Sequence, residues 1–145
     1  MSYNTTQRVS LSIGNTLSDG KILIQNLALH QGQPYKKGVR PCLISAEDVN
    51  KIVILPQEHV DVSFCGSAVH GIGVEGTLDI YHEGKAPIAS IYWNAPYSRQ
   101  GNELKVTNFD SEHYAVILGS FPFKGILGDA VVTIVGAQGD CASIV

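Results

Sequence analysis

Three cysteines and five histidines are the residues best able to do covalent or metal chemistry in this 145-residue sequence. Cys65 is followed by small residues, with His113 downstream, and a cysteine nucleophile needs such a histidine as its base. The alternating run 60–64 predicts a strand that leads to Cys65, so no helix is available there to lower the pKa of the thiol. Cys65 is therefore predicted to be a buried thiol rather than a nucleophile.

The segment Gly71 to Gly76 matches the dinucleotide-binding pattern G-x-G-x-x-G letter for letter. The chemistry of that pattern requires a helix whose N-terminus faces the pyrophosphate. Here residues 77–81 alternate as a strand does, and Gly84 and Pro87 follow soon after. The segment is therefore predicted to be a glycine-rich turn between two strands and not a nucleotide site.

No other arrangement of residues points to catalysis, a metal or a cofactor. C-x-x-C and G-x-S-x-G are both missing, and the acidic residues are scattered. The sequence therefore predicts a protein that is not an enzyme and needs no metal ion or cofactor. The histidines, none at a recognised ligand spacing, are His30, His59, His70, His82 and His113.

Cys42 and Cys141 lie in loop-like or terminal sequence. A disulfide between them would tie down the C-terminal tail, and two free thiols are the alternative. Non-reducing mass spectrometry of peptides distinguishes these two outcomes. Because the cysteine count is odd, at least one thiol stays unpaired in a monomer.

Short runs with period-two alternation, separated by turn residues, are the main structural signal. They predict an all-β protein, a single-domain antiparallel β-sandwich of about nine strands over residues 1–145. Residues 31–41 are predicted to be a loop, and Ser45 is predicted to begin one short helical turn. The predicted strands are residues 8–13, 21–29, 52–55, 59–65, 77–82, 88–94, 102–107, 113–119 and 130–136.

The composition is poor in charge: charged residues make up 16% of the chain, and the formal net charge is −3. A nucleic-acid-binding surface needs a concentrated basic footprint, so this composition argues against one. It also argues against a membrane partner held mainly by anionic lipid, but not against other membrane partners. Residues 1–10 lack the apolar centre of a signal peptide, so we expect synthesis in the cytoplasm and release by another route.

The stretch Ile91 to Tyr97 holds the only tryptophan of the chain and two of its six tyrosines. In a strand Tyr92 and Trp93 face opposite ways, and Tyr97 falls in the loop after Pro96. One interpretation is core packing with an ordinary loop tyrosine. The other is an anchor at the headgroup level of a membrane, which suits side chains with an apolar body and one polar group. The alternation does not say which of the two faces is buried.

Several short motifs follow one another along the chain in a particular order and at particular spacings. They are Gln25-Asn26-Leu27, Lys51-Ile52-Val53, Phe64-Cys65-Gly66-Ser67, Glu75 to Ile80, Tyr92 to Tyr97 and Gly125 to Gly128. Together they resemble the aegerolysin family of small, acidic β-sandwich proteins. Fungal members tend to carry several tryptophans on the membrane-facing side, and here Gln31, Tyr97, Leu104 and Tyr114 stand near those positions.

The resemblance implies a protein that binds particular membrane lipids. It also implies the small component of a two-component pore former, which recruits a larger partner with a membrane-attack-complex/perforin domain. The bacterial members most similar to this chain resemble the small subunit of a binary insecticidal protein. On this hypothesis Trp93, Tyr92 and Tyr97 supply apolar contact with lipid, and His70 and Ile72 shape headgroup recognition.

A single domain of this size is expected to recognise a membrane, alone or as several copies, and a larger partner is expected to make the pore. The alternative is an interaction protein without a membrane role, such as a lectin-like sandwich that recognises sugar through Trp93 and Tyr97. Glycan binding without lipid binding would favour that alternative.

Overall fold

The computed structural model describes residues 3–67, 69–84, 86–98 and 100–136, and its regular structure is almost entirely β-strand. The nine predicted strands all overlap observed ones, and the two further strands, β3 and β4, lie in or beside the segment predicted to be a loop. The elements are β1 (Asn4–Asn15), β2 (Ile22–Gln31), β3 (Gln33–Lys36), β4 (Cys42–Leu43), α1 (Ala46–Val49), β5 (Val53–Ile54), β6 (His59–Gly66), β7 (Val74–His82), β8 (Pro87–Ala95), β9 (Glu103–Thr107), β10 (Tyr114–Leu118) and β11 (Gly128–Gly136).

The strands form two sheets, and the predicted β-sandwich is confirmed. One sheet has the order β10-β11-β1-β6-β3-β4, and the other has the order β5-β2-β7-β8-β9. The pairing is mainly antiparallel, as predicted, but β1 pairs with β11 in parallel from Val9↔Gly128 to Asn15↔Ile134. The first and last described strands thus lie side by side in the centre of the six-stranded sheet.

Alternate residues of the long strands form the core between the sheets. Val9, Leu11 and Ile13 of β1 are fully buried, as are Ile22 and Ile24 of β2, and these are the faces that the alternation predicted. Val9 and Leu11 face the other sheet while the intervening Ser10 lies on the outer side.

The centre of this core is an aromatic pair with one ring from each sheet. Phe64 of β6 and Trp93 of β8 stack with ring centroids 4.6 Å apart and an interplanar angle of 21°. Gly76 of β7 makes room for this pair, because a Cβ atom there would lie 2.9 Å from Cζ2 of Trp93 and 2.8 Å from the carbonyl oxygen of Ala28.

The short helix α1 begins as predicted at Ser45. The Ser45 hydroxyl accepts from the backbone N–H of Asp48 at 3.0 Å, and the Asp48 carboxylate accepts from the backbone N–H of Ser45 at 3.0 Å. These two reciprocal hydrogen bonds form a capping box, and Val49 is buried at the other end. In the part of the chain that is described, no helix has both the length and the apolar character needed to cross a bilayer.

Candidate functional site

Three loops lie together at the end of the sandwich where β1 begins. They are residues 67–73 between β6 and β7, residues 96–102 between β8 and β9, and residues 119–127 between β10 and β11. The register places Gly66 opposite Asn4 and Gly128 opposite Val9, so two of the loops leave or enter the six-stranded sheet beside the first residues of β1. We call this surface the loop end.

The first loop is a tight turn closed by backbone hydrogen bonds. Ser67 and Ile72 exchange two N–H···O bonds of 2.8 Å, and the backbone N–H of Gly73 donates to Oε1 of Gln31 at 3.0 Å. Gly71 has a φ of 67°, and a Cβ atom at Gly73 would lie 2.8 Å from the carbonyl oxygen of Ala95. The glycine pattern is therefore a turn followed by strand β7, as predicted.

The second loop is held by a buried glutamine from β1. Nε2 of Gln7 donates to the carbonyl oxygens of Ala95 and Pro96, both at 3.2 Å, and the Gln7 side chain is fully buried. Tyr97 follows these anchored carbonyls, and its ring lies 3.8 Å from the position of a Cβ atom on Gly71. Tyr97 therefore packs beside the first loop.

The third loop is held by Asn102, the last residue of the second loop, which directly precedes β9. Nδ2 of Asn102 donates to the carbonyl oxygens of Pro122 at 2.9 Å and Gly125 at 3.1 Å, and its backbone N–H donates to Phe123 at 2.7 Å. Gln100 and Lys124 form an additional β-bridge. Gln31, Gln7 and Asn102 thus each fix one loop through hydrogen bonds to backbone atoms.

The fixed loops expose apolar side chains. Val69 is 81% exposed, Phe123 is 60% exposed and Tyr97 is 50% exposed, one from each loop. His70 is exposed beside Val69, and Ile72 is half-buried. Apolar groups that are exposed together on an ordered surface mark a site of contact with a partner or a membrane.

The predicted contact Tyr92 lies elsewhere, on the outer face of the five-stranded sheet. Its hydroxyl donates to Oε2 of Glu75 at 2.5 Å, and Nζ of Lys105 lies 5.1 Å from the centre of its ring. The hydrogen bond to Glu75, followed by burial, raises the pKa of Tyr92 to about 12. The Tyr92 side chain is therefore engaged within the protein, and its role in lipid contact stays a prediction.

The cysteines also have defined places. Cys65 is 2% exposed, as predicted, and burial raises the pKa of its thiol to about 11, which suppresses the reactive thiolate. His113 precedes β10 at the opposite end of the same sheet, where it contacts Asp110 at 2.9 Å, so it cannot serve Cys65 as a base. Cys42 is exposed, whereas Cys141 lies outside the described residues, so the proposed Cys42–Cys141 disulfide stays a prediction.

A sequence profile of the aegerolysin family matches residues 6–137. The chain belongs to the aegerolysin family. This is a family of β-sandwich proteins known for membrane-lipid binding and for haemolysins, and some of its members work with partner proteins.

Individual proteins agree with this assignment. Over 129 residues this aegerolysin is 29% identical to Asp-hemolysin of Aspergillus fumigatus, an alignment that covers 88% of this chain and 91% of the relative. It is 26% identical to terrelysin of Aspergillus terreus, with 92% and 91% covered. The crystal structure of RahU protein in complex with a TRIS molecule superposes with a TM-score of 0.82 at 22% identity, with 90% and 96% covered, which shows the shared fold.

The position of Trp93 corrects one expectation for this aegerolysin. Trp93 is fully buried, because Ile91, Trp93 and Ala95 all face the core, and a side chain with no exposed surface cannot contact lipid directly in this conformation. The same burial removes Trp93 from the sugar-binding surface of the lectin-like alternative. Its indole N–H has no hydrogen-bond partner among the described residues.

Two exposed members of the loop end, Val69 and Phe123, are not among the contacts predicted from the sequence. Phe123 carried a signal that could have been used, because Phe121-Pro122-Phe123 places two aromatic residues around a proline in a predicted loop. Val69 had no such signal. Of the predicted contacts, the structure brings Tyr97, His70 and Ile72 together at the loop end.

Proposed function

We propose that this aegerolysin is the membrane-binding component of a two-component pore-forming toxin. The loop end docks on lipid of the target membrane, and a larger protein with a membrane-attack-complex/perforin domain then binds and forms the pore. The observation that carries this proposal is the exposure of Val69, Tyr97 and Phe123 on loops held by the amide side chains of Gln7, Gln31 and Asn102. An insect cell is the proposed target, on the resemblance to binary insecticidal proteins.

The physical basis of docking is partial burial of a few rigid apolar groups. Each contributes about 1–3 kcal/mol at most when it leaves water. Because the loops are already ordered, little conformational entropy is lost when they bind. The resulting affinity of one molecule is modest, so specificity comes from hydrogen bonds of the His70 and Ile72 loop to headgroups, or from several copies acting together.

A partner is part of the proposal because this chain offers few strands for a pore. Its long strands are committed to two packed sheets with a shared apolar core. A large transmembrane barrel would need those strands to leave the core, at the cost of most of the buried apolar surface. The aegerolysin therefore supplies recognition, and the larger partner supplies the spanning strands.

Vesicle cosedimentation over a panel of lipids tests the docking surface. We expect the combined variant Tyr97→Ala and Phe123→Ala to lower the affinity at least tenfold, since about 1.4 kcal/mol corresponds to a factor of ten. The matched control is Phe109→Ala, because Phe109 is an aromatic residue with 40% exposure in the loop between β9 and β10, at the opposite end. Failure of the wild-type protein to bind any lipid or target-membrane extract would reject the proposal.

Dye release from vesicles tests the division of labour. We expect no release by this aegerolysin alone, and release when a perforin-type partner is added to vesicles that already carry it. The loop-end variant should abolish release while the Phe109→Ala control retains it. Efficient release by the aegerolysin alone would contradict the two-component proposal.

A further inference from the structure

A concave site lies on the outer face of the six-stranded sheet, and none of its lining residues belongs to the three loops. It is a cavity of about 260 Å³ beside the first residues of β1. Tyr35 of β3 forms its floor, since it pairs with Ser63 of β6 on one side and Leu43 of β4 on the other. Tyr3 and Pro41 complete the apolar walls, and exposed Cys42 lies on the lining. We call this cavity the flank pocket.

The floor of the flank pocket holds a polar group without a partner. Tyr35 is only 5% exposed, although it lies on the outer face of a sheet. Among the residues that the structure describes, none forms a hydrogen bond with its hydroxyl. The Tyr35 oxygen is not among the fully buried polar atoms that lack a partner in the described chain, so the hydroxyl opens onto the cavity and is available to a group that enters it.

Among the described residues, the flank pocket has one unpaired cation, Arg8, at its edge, although Arg8 is not part of the lining. The lining contains no aspartate or glutamate. Arg8 is the cross-strand neighbour of the pocket residue Cys65, and its Nη1 donates to the carbonyl oxygen of Thr5, another lining residue, at 3.3 Å. Within the described chain Arg8 forms no ion pair, so its remaining N–H donors carry an uncompensated positive charge.

Lys37 differs from Arg8, because its charge is already neutralised. Nζ of Lys37 lies 3.0 Å from Asp129 and 3.5 Å from Asp61. Burial raises the pKa of Tyr35, the charges of Arg8 and then Lys37 oppose that rise, and the charge of Asp129 adds to it. Of the two cations beside the flank pocket, Arg8 is the one without a carboxylate partner in the described chain, so it is the one available to a ligand.

We propose that the flank pocket binds a small amphiphile with an oxyanion head, such as a phosphate ester. The head accepts hydrogen bonds from the Tyr35 hydroxyl and the Arg8 guanidinium, and a short apolar stem lies against Tyr3, Pro41 and Leu43. A volume of about 260 Å³ is just below the range of pockets for drug-sized ligands, so it suits a head with a short stem. The proposal goes beyond membrane docking, because it needs neither the loop end nor a partner.

Three soluble probes test the chemistry of this pocket: hexyl phosphate, inorganic phosphate and hexanol. Affinity is measured by calorimetric titration, and occupancy by the rate of alkylation of Cys42, which lies on the lining and is kept as a thiol by a reductant that does not react with the alkylating agent. We expect hexyl phosphate to bind most tightly and to slow alkylation of Cys42. Hexanol lacks the oxyanion and phosphate lacks the stem, so each alone should bind at least tenfold more weakly.

Tyr35→Phe removes the hydroxyl and leaves the ring in place. We expect it to weaken binding of hexyl phosphate roughly tenfold, because a hydrogen bond to a charged group is lost. Tyr81→Phe on the other sheet is the matched control and should leave binding unchanged, and thermal unfolding of both variants verifies the fold. The proposal is overturned if hexyl phosphate does not bind, if hexanol binds equally well, or if Tyr35→Phe binds as the wild type does.

The head can belong to a free amphiphile or to a membrane phospholipid whose tails stay in the bilayer. Tyr35→Phe in cosedimentation with phosphatidylcholine vesicles distinguishes these sources. Reduced sedimentation identifies a membrane lipid, whereas unchanged sedimentation with weakened hexyl phosphate binding identifies a free amphiphile. Failure of the loop-end variants to alter docking would reject the proposed function and leave the flank pocket result unaffected.

Discussion

At the residue scale, the packing of Gly76 against Trp93 makes a sharp prediction about stability. A methyl group at Gly76 would approach both the Trp93 ring and the Ala28 carbonyl oxygen to less than 3.0 Å. We expect Gly76→Ala to lower the free energy of unfolding by about 1–3 kcal/mol, the usual cost of overpacking a core. Urea denaturation followed by Trp93 fluorescence measures it.

The control for that substitution is Gly14→Ala, also inside a long strand. A Cβ atom at Gly14 would meet its nearest neighbours at 3.9 and 4.0 Å, which is ordinary contact. Gly14→Ala should therefore be neutral or stabilise by up to about 1 kcal/mol, as alanine restricts the unfolded chain more than glycine does. Equal loss of stability in the two variants would show that the Trp93 pocket is not the cause.

The hydrogen bond between Tyr92 and Glu75 predicts a change in titration. The pKa of Tyr92 is raised from 10.0 to about 12, mainly because its hydroxyl donates to Glu75. In the folded state Tyr92 therefore keeps its proton to a higher pH than in the unfolded state. The stabilisation of the folded state by this hydrogen bond is lost as the pH rises from about 10 to 12. Glu75→Gln should lower the pKa of Tyr92 toward 10, measured by NMR with ring-labelled tyrosine. A wild-type Tyr92 that titrates near 10 would contradict the hydrogen bond.

Residue-level prediction from the sequence succeeded where a local pattern was sufficient. The strand run before Cys65 implied a buried thiol, and the strand after Gly76 excluded the helix that a nucleotide site requires. Trp93 shows the limit: alternation assigns Tyr92 and Trp93 to opposite faces but treats the two faces alike. The burial of Trp93 depends on Phe64 from the other sheet, a contact that no local pattern contains.

At the scale of elements, the capping box of α1 predicts a measurable contribution from Ser45. Ser45→Ala removes the hydroxyl that accepts from Asp48, and losses of this kind cost about 1 kcal/mol of stability.

The hydrogen bond from the Ser45 backbone, then that from its side chain, lowers the pKa of Asp48 below 3.8. The contribution of ionised Asp48 to the stability of the folded state is therefore present above pH 3.8 and is lost as the pH falls through the pKa of Asp48 in the folded state. Urea denaturation at neutral pH measures the loss of stability in Ser45→Ala. The difference in the free energy of unfolding between Ser45→Ala and the wild type should be smaller in acid, where Asp48 is protonated.

The strands that were not predicted from the sequence are short, and they depend on pairing with other parts of the chain. Strands β3 and β4 are four and two residues long, and Pro34 interrupts the polar and apolar pattern. β3 pairs with β6, which lies far along the chain, and β4 joins the sheet through β3. The parallel pairing of β1 with β11 has the same origin, since nothing in either strand encodes which neighbour it will find. The long strands were predictable because each carries its own alternation of polar and apolar residues, which can be read without knowing its neighbours.

At the scale of the whole molecule, the loop end is an assembly of parts from across the chain. Gln7, Gln31 and Asn102 lie in different strands or beside them, yet each holds a loop of the same surface. Single amide side chains have no distinguishing sequence signature, so this arrangement could be found only in three dimensions. It also explains why Tyr97 was predictable as an exposed loop residue while its neighbours Val69 and Phe123 were not grouped with it.

The charge of the whole molecule predicts how docking responds to salt. With a net charge of −3 and apolar contacts at Val69, Tyr97 and Phe123, attraction to the membrane does not depend on long-range electrostatics. Raising the salt from about 0.1 M to 1 M shortens the screening length from about 10 Å to 3 Å and weakens exposed charge interactions. We therefore expect the affinity for the best vesicle composition of the panel to change by less than about threefold, since apolar burial is not screened.

Cosedimentation at the two salt concentrations measures this response, with an oligolysine peptide on phosphatidylserine vesicles as the control that salt releases. The same series on the Tyr97→Ala and Phe123→Ala variant separates the contributions, because the residual binding of that variant contains whatever electrostatic attraction exists. A loss of affinity greater than tenfold in the wild type would contradict apolar docking. It would assign attachment instead to basic side chains, of which Arg8 beside the flank pocket would be the first to substitute.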